Sequence, residues 1–260
     1  MALGAGAANR QGGQVGPGDR EAALRARRDH ARGVRDDPSR RPGLKAGNSQ
    51  RGGLEAIVKH QRGDLRDGIA DALRGRVPRR ADRPDFRQAA VLLPLYQSTV
   101  GPHLILTKRT EEVPTHKGQI GFPGGGFEEG DRDLLATVLR ETREEIGLEP
   151  GDVEIIGTLD DTVTVTSRHV VRPFVGFVPH PYPYRLDPFE IERLIHLPIL
   201  PLLSGPPFRE EIWERDGQPV VVYFYEYDGD TIWGLTARIL KQFVDAVGRP
   251  LREKGLVSPG

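Results

Sequence analysis

Three glutamates, Glu141, Glu144 and Glu145, stand at i, i+3 and i+4 within a stretch whose apolar residues repeat at helical spacing. On a helix, that spacing puts the carboxylates within about 100° of arc on one face. Like charges so placed repel by about 0.2–0.5 kcal/mol per pair on an isolated helix. Taken alone, the three read most plainly as a solvated face neutralised by Arg140 and Arg143. The preceding segment changes that reading, because Pro123 is followed by Gly124, Gly125 and Gly126. Consecutive glycines let the backbone approach a ligand closely and expose its carbonyls and amides. A Mg²⁺ ion takes near-octahedral oxygen ligands from one or two carboxylates, water and substrate phosphates. A glycine loop leading into a carboxylate-faced helix supplies such a set. Two ions bridged by shared carboxylates can clamp a diphosphate and activate water for attack on it.

These groups need a scaffold, and the sequence outlines one. Leu135, Val138, Leu139, Thr142 and Ile146 fall on one side of a helix over 133–146, the side that must pack on a sheet. Residues 88–96 and 103–108 are apolar and β-prone, with a turn at 98–102 between them. Residues 153–164, 169–178 and 220–227 read as further strands. Asp187 fits as cap of a short helix, with Pro188 at its first position and Glu190 completing a capping box. Thr236 fits as cap of a last helix ending at Gly248, with Pro250 beyond. The mixture implies an α+β or α/β sandwich around one sheet.

Composition sets the outer limits. Lys and Arg number 37, as do Asp and Glu, so the chain has no global basic surface for nucleic acid. Cysteine is absent, which excludes disulfides, thiolate metal sites and cysteine nucleophiles. No apolar run approaches the length of a membrane span, and a soluble cytoplasmic protein is expected. Residues 1–53 are rich in Gly, Ala and Arg with few large apolar groups, and read as a disordered basic tail. Residues 54–85 read as an amphipathic helix (Leu54, Ile57, Val58, Leu65, Ile69, Leu73) and a Pro-containing linker. The compact domain is expected over 86–248, with a C-terminal tail over 249–260.

With the chemistry and its frame in view, the segment 118–148 resembles the Nudix box, G-x5-E-x7-R-E-U-x-E-E-x-G-U. Arg140-Glu141, Glu144-Glu145 and Gly147-Leu148 match it. Counting from Gly125 puts Asp131 at the first acidic position, with eight residues instead of seven before Arg140; Thr142 stands at the hydrophobic position. The flanking residues Leu106-Thr107-Lys108-Arg109, and His116 through Gly125, resemble the additional signature of coenzyme A pyrophosphatases within that family. Ile232 through Ala237 resembles their C-terminal portion. Val113-Pro114 stands where that subfamily carries Leu-Arg, so one phosphate-contacting arginine is missing.

The resemblance implies a Nudix fold, an α/β/α sandwich around a mixed sheet, and a pyrophosphohydrolase using Mg²⁺ or Mn²⁺. It makes Glu141 and Glu145 the principal metal ligands, Glu144 a further ligand or the base, and Arg140 the residue that orients a glutamate through a bidentate pair. Gly125 or Gly126 would lend a carbonyl to the metal. Gly124, Gly125, Gly126, Arg109, His116 and Gln119 would line the substrate site, with Lys108 and Lys117 as further cations and Arg168 and Arg172 as weaker ones. Asp160, Asp161 and Glu190 also stand as candidate bases, and Trp233 reads as a packing residue. The implied partner is a small nucleotide-linked molecule such as coenzyme A, with neither membrane nor nucleic acid engaged and a homodimer left open. The rival readings are a Nudix enzyme for another nucleoside diphosphate derivative and a catalytically silent ligand-binding domain.

Overall fold

A computed structural model of the chain describes residues 65–113, 116–164, 167–205, 208–215 and 217–258. The expected basic tail, and the part of the first helix before Leu65, lie outside the described residues. Helix α1 covers 65–74. It is followed by β1 (Arg87–Ser98), β2 (Gly101–Arg109), β3 (Ile120–Gly121), β4 (Gly124–Gly126), α2 (Leu134–Ile146) and a 3₁₀ turn at Pro150–Asp152. Then come β5 (Glu154–Thr158), β6 (Thr162–Thr164), β7 (His169–Phe177), β8 (Ile191–Pro198) and the short α3 (Leu200–Ser204). Strands β9 (Arg209–Arg215), β10 (Gln218–Tyr227) and β11 (Asp230–Trp233) lead into α4 (Gly234–Glu253).

Strand β1 organises the main sheet. It runs parallel to β7 and antiparallel to β2 and β4, so the sheet is mixed as expected. Alternation along β1 divides the core: Ala90, Leu92 and Tyr96 face α2, while Ala89, Leu93 and Leu95 join the cluster that includes Ile239, Leu240 and Phe243 of α4. A helix on each face gives the α/β/α sandwich. Strands β9–β11 form a separate antiparallel sheet whose inner residues Tyr225 and Ile232 pack into the α4 cluster. Its outer side carries Trp213, Phe224 and Trp233, with ring centroids about 6 Å apart.

Several sequence expectations shift. The stretch 153–164 is two strands, broken at Leu159–Asp161. No helix starts at Asp187. Its Oδ1 accepts from the Phe189 amide at 2.8 Å, and the chain enters β8 at Ile191. Pairing with β2 drives Ile195 and Leu197 into the core, which outweighs the local capping pattern. Strands β9 and β11 were not apparent from apolar patterning. The last helix begins at Gly234 and continues through Gly248 and Pro250 to Glu253, while Thr236 donates to the Ile120 carbonyl. Leu251 and Val257 are buried, so the described chain beyond 248 contributes to the core where a tail was expected.

The segment 65–85 is likewise part of this body. Leu65, Ile69 and Leu73 sit in the α4 cluster, and Leu251 and Leu256 crowd Gly68. The expected linker is a strap clasped by the β5–β6 turn. Arg76 donates to Asp160 at 3.0 Å, Arg80 to Asp161 at 3.0 Å, and the amides of Arg79 and Ala81 to the same two carboxylates. Burial pushes the Asp161 carboxyl up, but the Arg172 guanidinium, the Ala81 amide and Arg80 outweigh it and hold the group below its ordinary value. Ile69 is fully buried. Ile69→Ala is therefore expected to lower unfolding free energy by about 2–5 kcal/mol, read as a reduced denaturant midpoint at unchanged slope.

Candidate active site

The glycine run is a strand, not a loose turn. Gly124, Gly125 and Gly126 pair with Val91, Ala90 and Ala89 of β1, and the Leu92 and Phe127 amides close the pairing at either end. Gly124 has φ 142°, and a Cβ there would lie 2.2 Å from the Ala90 carbonyl oxygen, so only glycine fits. A Cβ on Gly125 would meet the Glu141 carboxylate at 2.4–2.6 Å. The missing side chain leaves a cradle in which that carboxylate lies against bare backbone.

Helix α2 presents the glutamates to this strand. Asp133 caps it, accepting from the Ala136 amide at 2.8 Å, and Gly147 ends it in the left-handed conformation. Val138, Thr142 and Ile146 face the sheet as expected. The three glutamates do not share one environment. Glu145 is 6% exposed, and its Oε2 accepts from the Gly124 amide at 3.0 Å. Its Oε1 lies 3.5 Å from Arg109 Nη1. Burial pushes its carboxyl up to about 8, against the pull of the Gly124 amide and Arg109, with Glu141 and Glu190 adding to the rise. Burial also raises Glu141, partly offset by Arg140. Glu144 stays open to solvent, held by one bond from Arg140 Nη1 at 3.0 Å.

Arg140 is the hub. Its bidentate pair is with Asp131, Nε and Nη2 each at 3.0 Å, and not with a glutamate as expected. Single bonds from Nη1 reach Glu141 at 3.1 Å and Glu144, and Nη2 reaches the Gly126 carbonyl at 3.2 Å. Asp131, nine residues before Arg140, is thus the carboxylate that locks this guanidinium in place. The Arg140 hydrogen bonds outweigh burial and, with the Glu128 amide and Thr137 hydroxyl, hold the Asp131 carboxyl far below its ordinary range.

The remaining candidates divide. Arg109 reaches the site, bridging Glu145 and the Glu190 carboxylate, the latter at 3.1 Å. Glu190 therefore belongs to the acidic group. It lies 81 residues from Arg109 in the chain, and the sequence offered it as a capping-box residue and as one of several candidate bases. His116 and Gln119 hydrogen-bond to each other at 2.8 Å, while the Gln119 carbonyl receives the Arg109 amide, so that loop braces Arg109 from behind. Lys108 turns to Glu192 and Asp230, and Lys117 is exposed. Arg168 pairs with Asp85, and Arg172 with Asp161. Asp160 and Asp161 are spent on the strap and on Arg172, which removes them as bases. Trp233 is partly exposed and stacked on Phe224, so it packs at a strand end as expected.

Among the described residues, no three acidic or histidine side chains form a closed metal cage. The donor set nonetheless suits a hard divalent cation, which needs only one or two carboxylates and keeps water and phosphate for the rest. Two carboxylates whose charged forms are disfavoured by burial lie beside backbone that no side chain covers.

The NUDIX domain family matches residues 86–190, the span that holds Arg109, the glycine strand, Asp131, Arg140, the three glutamates and Glu190. A Photorhabdus laumondii protein, the uncharacterized Nudix hydrolase NudL, is 35% identical over 161 residues, covering 62% of this chain and 85% of the relative. The same-named Escherichia coli protein is 34% identical, covering 63% and 84%. The chain belongs to the Nudix family and is a pyrophosphohydrolase of that family, whose members use divalent cations. A solved structure of a MutT/nudix family protein from Enterococcus faecalis, 15% identical, covers 82% of this chain and 81% of its own at a TM-score of 0.42. Among the described residues, no helix is long and apolar enough to cross a membrane.

Because the folded Asp131 carboxyl is depressed, its contribution to stability is present above its ordinary value of 3.8 and lost as pH falls below it. Asp131→Asn should therefore be less stable than the parent at pH 7, and the difference in melting temperature should shrink as the pH is lowered past 4.

Proposed function

We propose that the enzyme hydrolyses the diphosphate of coenzyme A or its acyl derivatives, with Mg²⁺ or Mn²⁺ held by Glu141 and Glu145. The observation that carries this reading is the position of Arg109, the last residue of the Leu106–Arg109 signature, whose guanidinium lies against Glu145. The segment that resembles the coenzyme A pyrophosphatase signature thus lies against the glutamate-bearing helix, which supports the reading.

When bound, the cation neutralises charge on the diphosphate and lowers the pKa of the attacking water. Arg140 fixes Glu141 and the Gly126 carbonyl in mutual register, and the Gly124 amide holds Glu145. Glu144, with one oxygen on Arg140 and most of its side chain in solvent, is free to take the proton from the attacking water. Water adds to one phosphorus and the P–O bond to the bridging oxygen breaks. The products are 4′-phosphopantetheine, acylated where the substrate was, and adenosine 3′,5′-bisphosphate. Arg109 supplies positive charge to the phosphates, and Gly124–Gly126 let them approach the backbone.

The purified protein with coenzyme A and MgCl₂ or MnCl₂ should yield both products by chromatography, and EDTA should stop the reaction. Turnover of ADP-ribose or a nucleoside triphosphate, with coenzyme A untouched, would overturn the substrate assignment. Glu145→Gln should lower kcat by about a hundredfold or more, since metal stabilisation of the transition state is worth several kcal/mol. An unchanged rate would remove Glu145 from the metal site.

A further inference from the structure

Arg109 occupies an unusual position for a substrate-binding cation. Its guanidinium sits between two carboxylates, 3.1 Å from Glu190 Oε2 and 3.5 Å from Glu145 Oε1. The second contact is long for a charge-assisted hydrogen bond. Its Nε is buried and has no hydrogen-bond partner among the described residues. The contact to Glu145 is therefore one of charge more than of fitted geometry, and the Nε donor is unused. Glu145 is the more buried carboxylate, and its other oxygen is taken by the Gly124 amide. The oxygen facing Arg109 is the one left to meet a cation.

The geometry points to Arg109 as an exchangeable counter-cation of the metal site, which holds Glu145 when no divalent ion is bound and is displaced toward the substrate phosphates when one is. The inference rests on the metal-dependent reading above and adds a coupling to it. A guanidinium and a divalent ion cannot both sit against Glu145 Oε1 without strong repulsion. Metal arrival breaks the Glu145 contact and leaves Arg109 on Glu190 alone, and a diphosphate offers it two anionic oxygens in the fork geometry that Arg suits. Arg109 thereby weakens metal binding in the empty enzyme and strengthens phosphate binding in the loaded one. The Gln119 carbonyl anchors the Arg109 backbone amide at 3.0 Å, so the exchange needs movement of the side chain alone.

The test is Mn²⁺ binding without substrate, followed by electron paramagnetic resonance of the free ion, for the parent, Arg109→Met, Arg109→Gln, Arg109→Lys and Glu145→Gln. Removing the competing charge in Arg109→Met and Arg109→Gln should tighten Mn²⁺ binding by about fivefold to a hundredfold, the usual range for coupling between two sites. Arg109→Lys, which keeps the charge, should stay near the parent. Loss of a merely structural residue would loosen the site, so a gain in affinity is the distinguishing result. Unchanged or weaker binding by both neutral variants, with parental binding intact and sensitive to Glu145→Gln, would overturn the exchange and leave the metal reading standing. Parental Mn²⁺ binding unaffected by Glu145→Gln, or no binding by any of the proteins, would overturn both.

Discussion

One backbone hydrogen bond, from the Gly124 amide to the Glu145 carboxylate at 3.0 Å, sets the distance between the sheet and the acidic helix. A carboxylate this buried is unfavourable unless each oxygen finds a donor or a cation. The amide can reach it because Gly124 lies flat against Ala90 and Val91, where any side chain would collide with the β1 backbone. Arg140 fixes the other end through Asp131 and the Gly126 carbonyl. Sheet, glycine strand and helix are thus joined at two points, and Glu141 lies between them beneath Gly125. The mutual repulsion of the glutamates is held within this frame.

The frame depends on chain far from the glutamates. The family match ends at residue 190, yet β8 pairs with β2 along seven residues and leads from the turn that carries Glu190. Helix α4 covers the opposite face of the sheet, and Thr236 at its start holds the Ile120 carbonyl in the strand just before the glycines. Helix α1 and its arginine strap fill the space between α4 and the β5–β6 turn. The site residues lie within a stretch of about a hundred residues, while the hydrophobic burial that keeps them in place is drawn from 65 to 257.

The sequence announced what depends on local spacing. Helix α2, the strands on either side and the layered class were legible because periodicity and motif act over a few residues. What depends on tertiary pairing was not. At Asp187 a sound capping pattern lost to the burial of Ile195 and Leu197 on β2. At Gly248 and Pro250, residues that ordinarily end helices, burial of Leu251 carried α4 onward. Asp160 and Asp161 looked available for proton transfer because their arginine partners, Arg76 and Arg80, lie about eighty residues earlier. The single helical face of three glutamates resolved into a buried, a half-buried and an exposed group, since one helical arc meets backbone, loop and water in turn.

The outer side of the β9–β11 sheet has a spectroscopic consequence. The chain has two tryptophans, Trp213 and Trp233, and both lie there, 6.0 Å apart and close to Phe224. Indoles that close share excitation, so tryptophan emission and the tryptophan bands of the near-ultraviolet dichroism arise from this one patch. Light absorbed at the red edge reports on the C-terminal sheet, while the acidic helix and its glycine strand stay dark. A cooperative red shift of the emission maximum on heating would mark fraying of β9–β11, and far-ultraviolet dichroism would be needed to see whether α2 had melted with it.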